Sequence, residues 1–67
     1  MKNLSEFPEL LETEEIMDLF EISRAAAYRL MRKKGFPAFK IMRRYVVQKK
    51  ALTKWLDRQE QQAYRYK

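Results

Sequence analysis

The 67-residue chain contains no cysteine and no histidine, a single glycine and two prolines. The first two absences exclude disulfide staples, zinc fingers of the common ligand types and any nucleophile-base pair that uses either residue. With one glycine there is no glycine-rich loop of the kind that cradles phosphate groups. No stretch approaches the roughly 18 consecutive apolar residues of a membrane span, and the N-terminus lacks the apolar core of a signal peptide. The carboxylates crowd one helical stretch with no base or metal cluster beside them. No catalytic residue and no metal site is therefore assigned, and the chain is not expected to be an enzyme. A cytoplasmic location without a membrane partner is the corresponding expectation.

What is present suits one small domain. A chain of this size buries only about 60% of the surface its unfolded form exposes, so it must use its apolar residues well. The hydrophobic fraction is 46%, with Trp55, four Phe and four Tyr, which is enough for a core. The formal charge is +6, a balance that favours a polyanionic partner. Its distribution is uneven. Residues 1–22 carry one base (Lys2) against seven acids, whereas residues 23–67 carry fourteen bases against Asp57 and Glu60.

Along the chain, residues 1–10 read as an N-terminal arm, extended because Pro8 disfavours helix before it. Residues 11–58 read as the folded domain and residues 59–67 as a C-terminal helical extension or tail, fraying before Tyr64. The first helix is expected from Thr13 to Phe20, with Ile16, Leu19 and Phe20 on one face and Thr13 as N-cap. Glu14, Glu15 and Asp18 suit the positive end of its dipole. The tight turn Glu21-Ile22-Ser23 leads into a second helix from Arg24 to Lys34, capped by Ser23 and closed by Gly35, with Pro37 just beyond. Two helices so joined have helix-turn-helix geometry.

The second helix turns Ala27, Leu30 and Met31 inward. Arg24, Ala25, Tyr28, Arg29 and Arg32 share the opposite face, which is the face suited to a DNA major groove. Arginine grips guanine O6 and N7 with two parallel hydrogen bonds, and a small alanine permits close approach to a thymine methyl group. A solvated cationic face is the plainer alternative for any isolated helix. Between Ala38 and Val47, Phe39, Ile41, Tyr45, Val46 and Val47 mark two strands joined around Met42-Arg43. They form a hairpin, or wing, whose basic tip would touch phosphates or remain solvated. The third helix, from Lys49 to about Gln62, carries Leu52, Trp55 and Leu56 as core, with Trp55 expected to supply the largest single burial.

These residues, in this order, resemble a known group. Leu11 is followed by Glu14-Glu15, Ile22-Ser23-Arg24, Tyr28-Arg29-Leu30-Met31-Arg32, Gly35-Phe36-Pro37, Tyr45-Val46-Val47, and Leu52 with Trp55-Leu56. The series resembles the excisionase-type, MerR-like winged helix-turn-helix domains, which include phage excisionases and AlpA-like regulators, over about Leu10 to Arg58. The resemblance implies a mainly α fold of three helices plus a two-stranded wing, double-stranded DNA as partner and no cofactor. It also implies that the helix from Ser23 to Lys34 reads the major groove. Departures from the group's pattern are Glu12 where a capping Ser or Thr is common, Glu21 in place of a turn glycine, and Met42 and Arg43 in place of small wing-tip residues.

Base-edge contacts are accordingly assigned to Arg24, Ala25, Tyr28 and Arg29, and backbone or wing contacts to Ser23, Arg32, Lys40, Arg43, Arg44 and Lys49. Within DNA binding two roles are open. One is an excisionase that assists an integrase of a phage or mobile element, favoured because no ligand-sensing domain accompanies the DNA-binding one. The other is a small transcriptional regulator on an operator. A protein-interaction module with the same fold is a further alternative, and RNA binding is disfavoured because the aromatics look committed to the core. The acidic first third would either pair with bases in its own chain or support head-to-tail self-association on DNA.

Overall fold

The computed structural model describes residues 1–65. Its elements are a short 3-10 turn (Leu4–Glu6), β1 (Leu10–Glu12), α1 (Thr13–Phe20), α2 (Arg24–Arg32), β2 (Phe39–Ile41), β3 (Arg44–Gln48) and α3 (Lys49–Arg65). The strands form one antiparallel sheet in the order β1-β3-β2. This is a winged helix-turn-helix, three helices with a hairpin wing, and its sheet has one strand more than the sequence suggested.

That strand comes from the arm. The side chain of Asn3 accepts the Ser5 backbone N–H at 3.0 Å and caps the 3-10 turn. The Lys2 N–H donates to the Leu19 carbonyl at 2.9 Å, and Leu4 and Phe7 pack on the core. Anchored in this way, Leu10, Leu11 and Glu12 pair with Gln48, Val47 and Val46. The arm, expected to be extended, instead holds a 3-10 turn at Leu4–Glu6, and its last residue, Leu10, opens β1.

The first helix starts at Thr13, but its N-cap is Glu12, in extended backbone. The Glu12 N–H donates to the Glu15 carboxylate at 2.7 Å, as in a capping box. Thr13 is itself buried, and its hydroxyl donates to Met31 Sδ at 3.6 Å. The assignment of Thr13 as cap is thus corrected: an acid-rich first turn leaves the cap to Glu12 and frees the smaller threonine to pack inward. The helix ends at Glu21, which is left-handed at φ 58° and ψ 50°, a conformation that costs a residue with a Cβ roughly 1–2 kcal/mol. Here the turn keeps the geometry a glycine would favour and bears the strain.

Ser23 caps α2 by accepting the Ala26 N–H at 3.1 Å. The helix stops at Arg32, with Lys33 already extended, so the expected end at Lys34 is two residues too late. Residues 33–36 form a turn in which the Phe36 N–H donates to the Lys33 carbonyl at 3.1 Å, with Gly35 at φ 91°. A glycine at the third position of such a turn supplies the positive φ it requires. Gly35 therefore shapes the turn after the helix rather than closing the helix itself.

In the wing, Ile41 pairs with Arg44, which leaves Met42 and Arg43 as a two-residue turn. Met42 carries φ 58° and is 93% exposed. A positive φ at the first central residue belongs to the primed turns that match the twist of a hairpin.

The core lies where the two helices, β3 and α3 meet. Leu11, Ile16, Leu19, Val47 and Leu52 are its largest fully buried side chains, joined by Ala27, Met31 and Phe36. The buried Ala27, with no side chain beyond Cβ, lets α1 and α2 come close. Trp55 is only half-buried and sits at the rim, edge-on to Phe36 with ring centroids 4.8 Å apart and planes at 73°. Expected to supply the largest single burial, Trp55 is partly exposed, whereas Leu52, one turn earlier on α3, is fully buried in the centre. The α3 helix also runs past the expected Gln62 to Arg65, with no break before Tyr64. The last two residues of the expected tail, Tyr66 and Lys67, lie outside the described residues.

Leu52→Ala is expected to cost about 2–5 kcal/mol, and Trp55→Ala less. Urea unfolding followed by circular dichroism checks the order, and a larger loss at Trp55 would move the centre of the core to the rim.

Candidate nucleic-acid interface

The outward face of α2 and the wing enclose a shared groove. Arg24, Ala25, Tyr28, Arg29 and Arg32 are all exposed, as 3.6-residue periodicity requires once Ala27 and Met31 face the core. Ala25, Tyr28, Arg29 and Arg32 line one side of a groove of about 640 Å³, and Lys40 and Tyr45 line the other. Antiparallel pairing sets Lys40 directly opposite Tyr45, and the ammonium stands 5.4 Å from the centre of the tyrosine ring. A cation over a ring face is held by the ring quadrupole, so Lys40 is placed rather than free. The structure thus brings together residues that lie as far apart in sequence as Ala25 and Tyr45.

Other assigned residues stand around this groove. Arg43 and Arg44 line a smaller cleft of about 180 Å³, shared with Arg24, Tyr28 and the first residues of α1. Arg24 Nη2 donates to Glu14 Oε1 at 2.5 Å. The Glu14 carboxylate, through that hydrogen bond and then through its charge, raises the guanidinium above its ordinary value, with a smaller contribution from Tyr28. Arg44 Nη1 lies 3.1 Å from Glu12 Oε1. Lys49 points elsewhere: its ammonium donates to the Ser5 carbonyl at 3.5 Å and lies 4.0 Å from Glu9. It borders the N-terminal arm and lines neither the groove nor the cleft.

Sequence reading missed two contributions here. Tyr45 was read only as an apolar strand residue, yet it is half-buried and its ring forms a wall of the groove. For the acids, dipole partnership with α1 and pairing within the chain were both expected, but not which bases they would meet. In the structure Glu9, Glu12, Glu14, Asp18 and Glu21 meet Lys49, Arg44, Arg24, Lys2 and the N-terminal amine of their own chain. This geometry agrees with pairing inside the chain, the plainer of the two expectations for the acidic third. Nothing in the spacing of Glu14 and Arg24 signals their contact, because the fold of the intervening turn creates it.

A family model described as a helix-turn-helix domain matches residues 10–60. The chain belongs to the helix-turn-helix domain family. That family includes excisionase-like DNA-binding domains and is typically non-enzymatic, and membership makes this chain a DNA-binding domain. Comparison with curated proteins and with solved structures finds no match. Among the described residues no helix is long and apolar enough to cross a membrane.

In this helix-turn-helix domain the Ser23 hydroxyl fixes the start of the groove-lining helix. Ser23→Ala is expected to lower stability by about 1 kcal/mol through loss of the cap, read as a lower thermal midpoint. Ser23→Asp, which keeps an acceptor, should restore most of it, and equal losses in both variants would show that the cap contributes little.

Proposed function

We propose that the chain binds double-stranded DNA sequence-specifically, with α2 in the major groove and the wing on the flanking backbone. The observation that carries this reading is the α2-wing groove. It presents Arg29, Arg32 and Lys40, none within ion-pair distance of a carboxylate among the described residues, beside two tyrosines and the small Ala25. Unneutralised cations in a concave surface favour a polyanion, and a helix is the element that a B-form major groove admits.

In this reading Arg24, Ala25, Tyr28 and Arg29 meet base edges, the two arginines through paired hydrogen bonds to guanine and Ala25 through a thymine methyl group. Arg32, Lys40, Arg43 and Arg44 meet phosphates on either side. The Ser23 hydroxyl, which accepts from Ala26, has its own proton to donate to a phosphate, whereas Lys49, held at the arm, is left out of this contact.

The biological role we propose is that of an excisionase: a recombination directionality factor that binds near the attachment site of a phage or mobile element and assists its integrase. The ordered marks from Leu11 to Leu56 that resemble excisionase-type, MerR-like domains support this role, and so does membership of a family that includes excisionase-like domains.

Arg29→Ala should weaken binding to the cognate site about ten- to a hundred-fold and relax preference at one base pair. The Arg43 and Arg44 double alanine variant should weaken all sequences and flatten the slope of log affinity against log salt by about 0.9 per contact. Footprinting on the DNA that flanks the gene, at two salt concentrations, finds the site and checks both. An in vitro excision reaction with a recombinase encoded beside the gene, where one is found, decides the role. Stimulated excision is expected, whereas specific binding that represses a promoter and leaves recombination unchanged would replace the excisionase with an operator-binding regulator.

A further inference from the structure

Of the cations assigned to DNA, Lys49 is paired with Glu9 beside the arm, and two that line the cleft next to the groove are also occupied. Arg24, at the start of α2, is held by Glu14, and Arg44, beside the wing tip, is held by Glu12. Both carboxylates come from the junction of β1 and α1. Pairing of Glu12 with Val46 in the sheet sets that junction beside the wing, and the tight turn after α1 brings the start of α2 back past it. As a result Glu12 and Glu14 line the cleft between the second helix and the wing together with Arg24, Tyr28, Arg43 and Arg44. The four charged partners are more than two-fifths exposed, so solvent and salt reach them.

We propose that Glu12 and Glu14 are internal counter-ions of the DNA-binding face. They stand in for phosphate on Arg24 and Arg44 in the free protein and hold down its affinity for DNA of any sequence. The inference rests on the reading of α2 and the wing as the DNA contact. DNA carries a layer of condensed cations, and a protein cation that neutralises a phosphate releases them, which drives most non-specific association. An arginine still held by a fixed carboxylate brings no net charge to a phosphate and so releases fewer of them. When a phosphate or base edge takes the arginine, a carboxylate is left facing DNA. Both effects oppose binding. An exposed pair is itself weak, so the exchange from carboxylate to DNA is possible without unfolding the cleft. Among the described residues Arg29, Arg32, Lys40 and Arg43 meet no carboxylate within ion-pair distance, and they supply the attraction that remains.

The test is binding of a fluorescein-labelled random-sequence duplex, followed by anisotropy from about 50 to 200 mM salt, the range in which phosphate contacts dominate. The variants are Glu14→Gln, Glu12→Gln and Glu6→Gln. Gln keeps the oxygen acceptor that Glu12 offers at the helix cap, and Glu14 takes no part in that cap, so Glu14→Gln reports independently of it. Glu6 lies in the arm, away from both arginines, and its replacement changes net charge by the same amount. Glu14→Gln and Glu12→Gln should each tighten binding about five-fold at the lowest salt and steepen the log-log slope by up to about 0.9. Glu6→Gln should do much less. Unchanged slopes in both variants, an effect of Glu6→Gln as large as theirs, or weaker binding on loss of Glu14 would each overturn the proposal. If the unmodified protein fails to bind duplex at the lowest salt, the DNA reading itself falls and the counter-ion role with it. Binding that is intact but insensitive to both substitutions removes only the latter.

Discussion

The pairing of Leu11 with Val47 is the contact on which the interface depends. Both side chains are fully buried, and they fix the register of β1 on β3. Since β1 runs directly into α1 and β3 directly into α3, this one register sets both helices against the sheet. On its other edge β3 pairs with β2 to make the wing. In a strand, a slip of one residue turns every side chain to the opposite face. Such a slip would expel Val47, bring Gln48 or Val46 to its place and remove Tyr45 from the α2-wing groove. The apolar core and the position of the wing are therefore one constraint, not two.

Charge follows the fold in the same way. In sequence the signs are largely separated, seven of the nine acids before residue 22 and fourteen of the fifteen bases after it. In space they are mixed, because β1 and α1 pack against the wing and the start of α2, and each brings its carboxylates to the nearest cations. Among the described residues Arg29, Arg32 and Lys40, between the middle of α2 and the wing, lie beyond ion-pair distance of any carboxylate, as do Lys33, Lys34 and Lys54 elsewhere. A local surface of this kind depends on which acids the fold delivers, and net charge alone would not locate it.

The helix pair, its tight turn and the hairpin were legible because each rests on local rules. Ile16 and Leu19 repeat at helical spacing, Ser23 is a chemically apt cap, and Tyr45 to Val47 is a β-branched and aromatic run. Local rules were also where the misreadings arose. Thr13 looked like a cap because hydroxyls cap well, yet its small size made it useful beneath Met31, and Glu12 took the role. Gly35 looked like a helix terminus because glycine commonly serves there, yet a turn four residues long needed the same positive φ. Leu10 to Glu12 is too short to announce a strand, and only the distant β3 makes it one. Trp55 was ranked by size, whereas burial depends on where α3 points. At the site, the placement of Arg29 and Arg32 on one exposed face followed from periodicity. The contacts of Arg24 with Glu14 and of Lys49 with the arm did not, since both join segments that only tertiary packing brings together.

The central position of β3 also bears on how the chain assembles itself. The α1-α2 pair is made from neighbouring residues, and its contacts are local. The sheet must bring Leu11 to Val47 across most of the chain, and pairing over such a separation requires closure of a long loop before any apolar contact compensates for it. Until Val47 and Leu52 have been synthesised, Ile16, Leu19 and Met31 have no cover on the side that β3 and α3 later occupy. The α2 wall of the groove is thus made early, while its other wall, Lys40 and Tyr45, is made with the strand that later covers the helix pair.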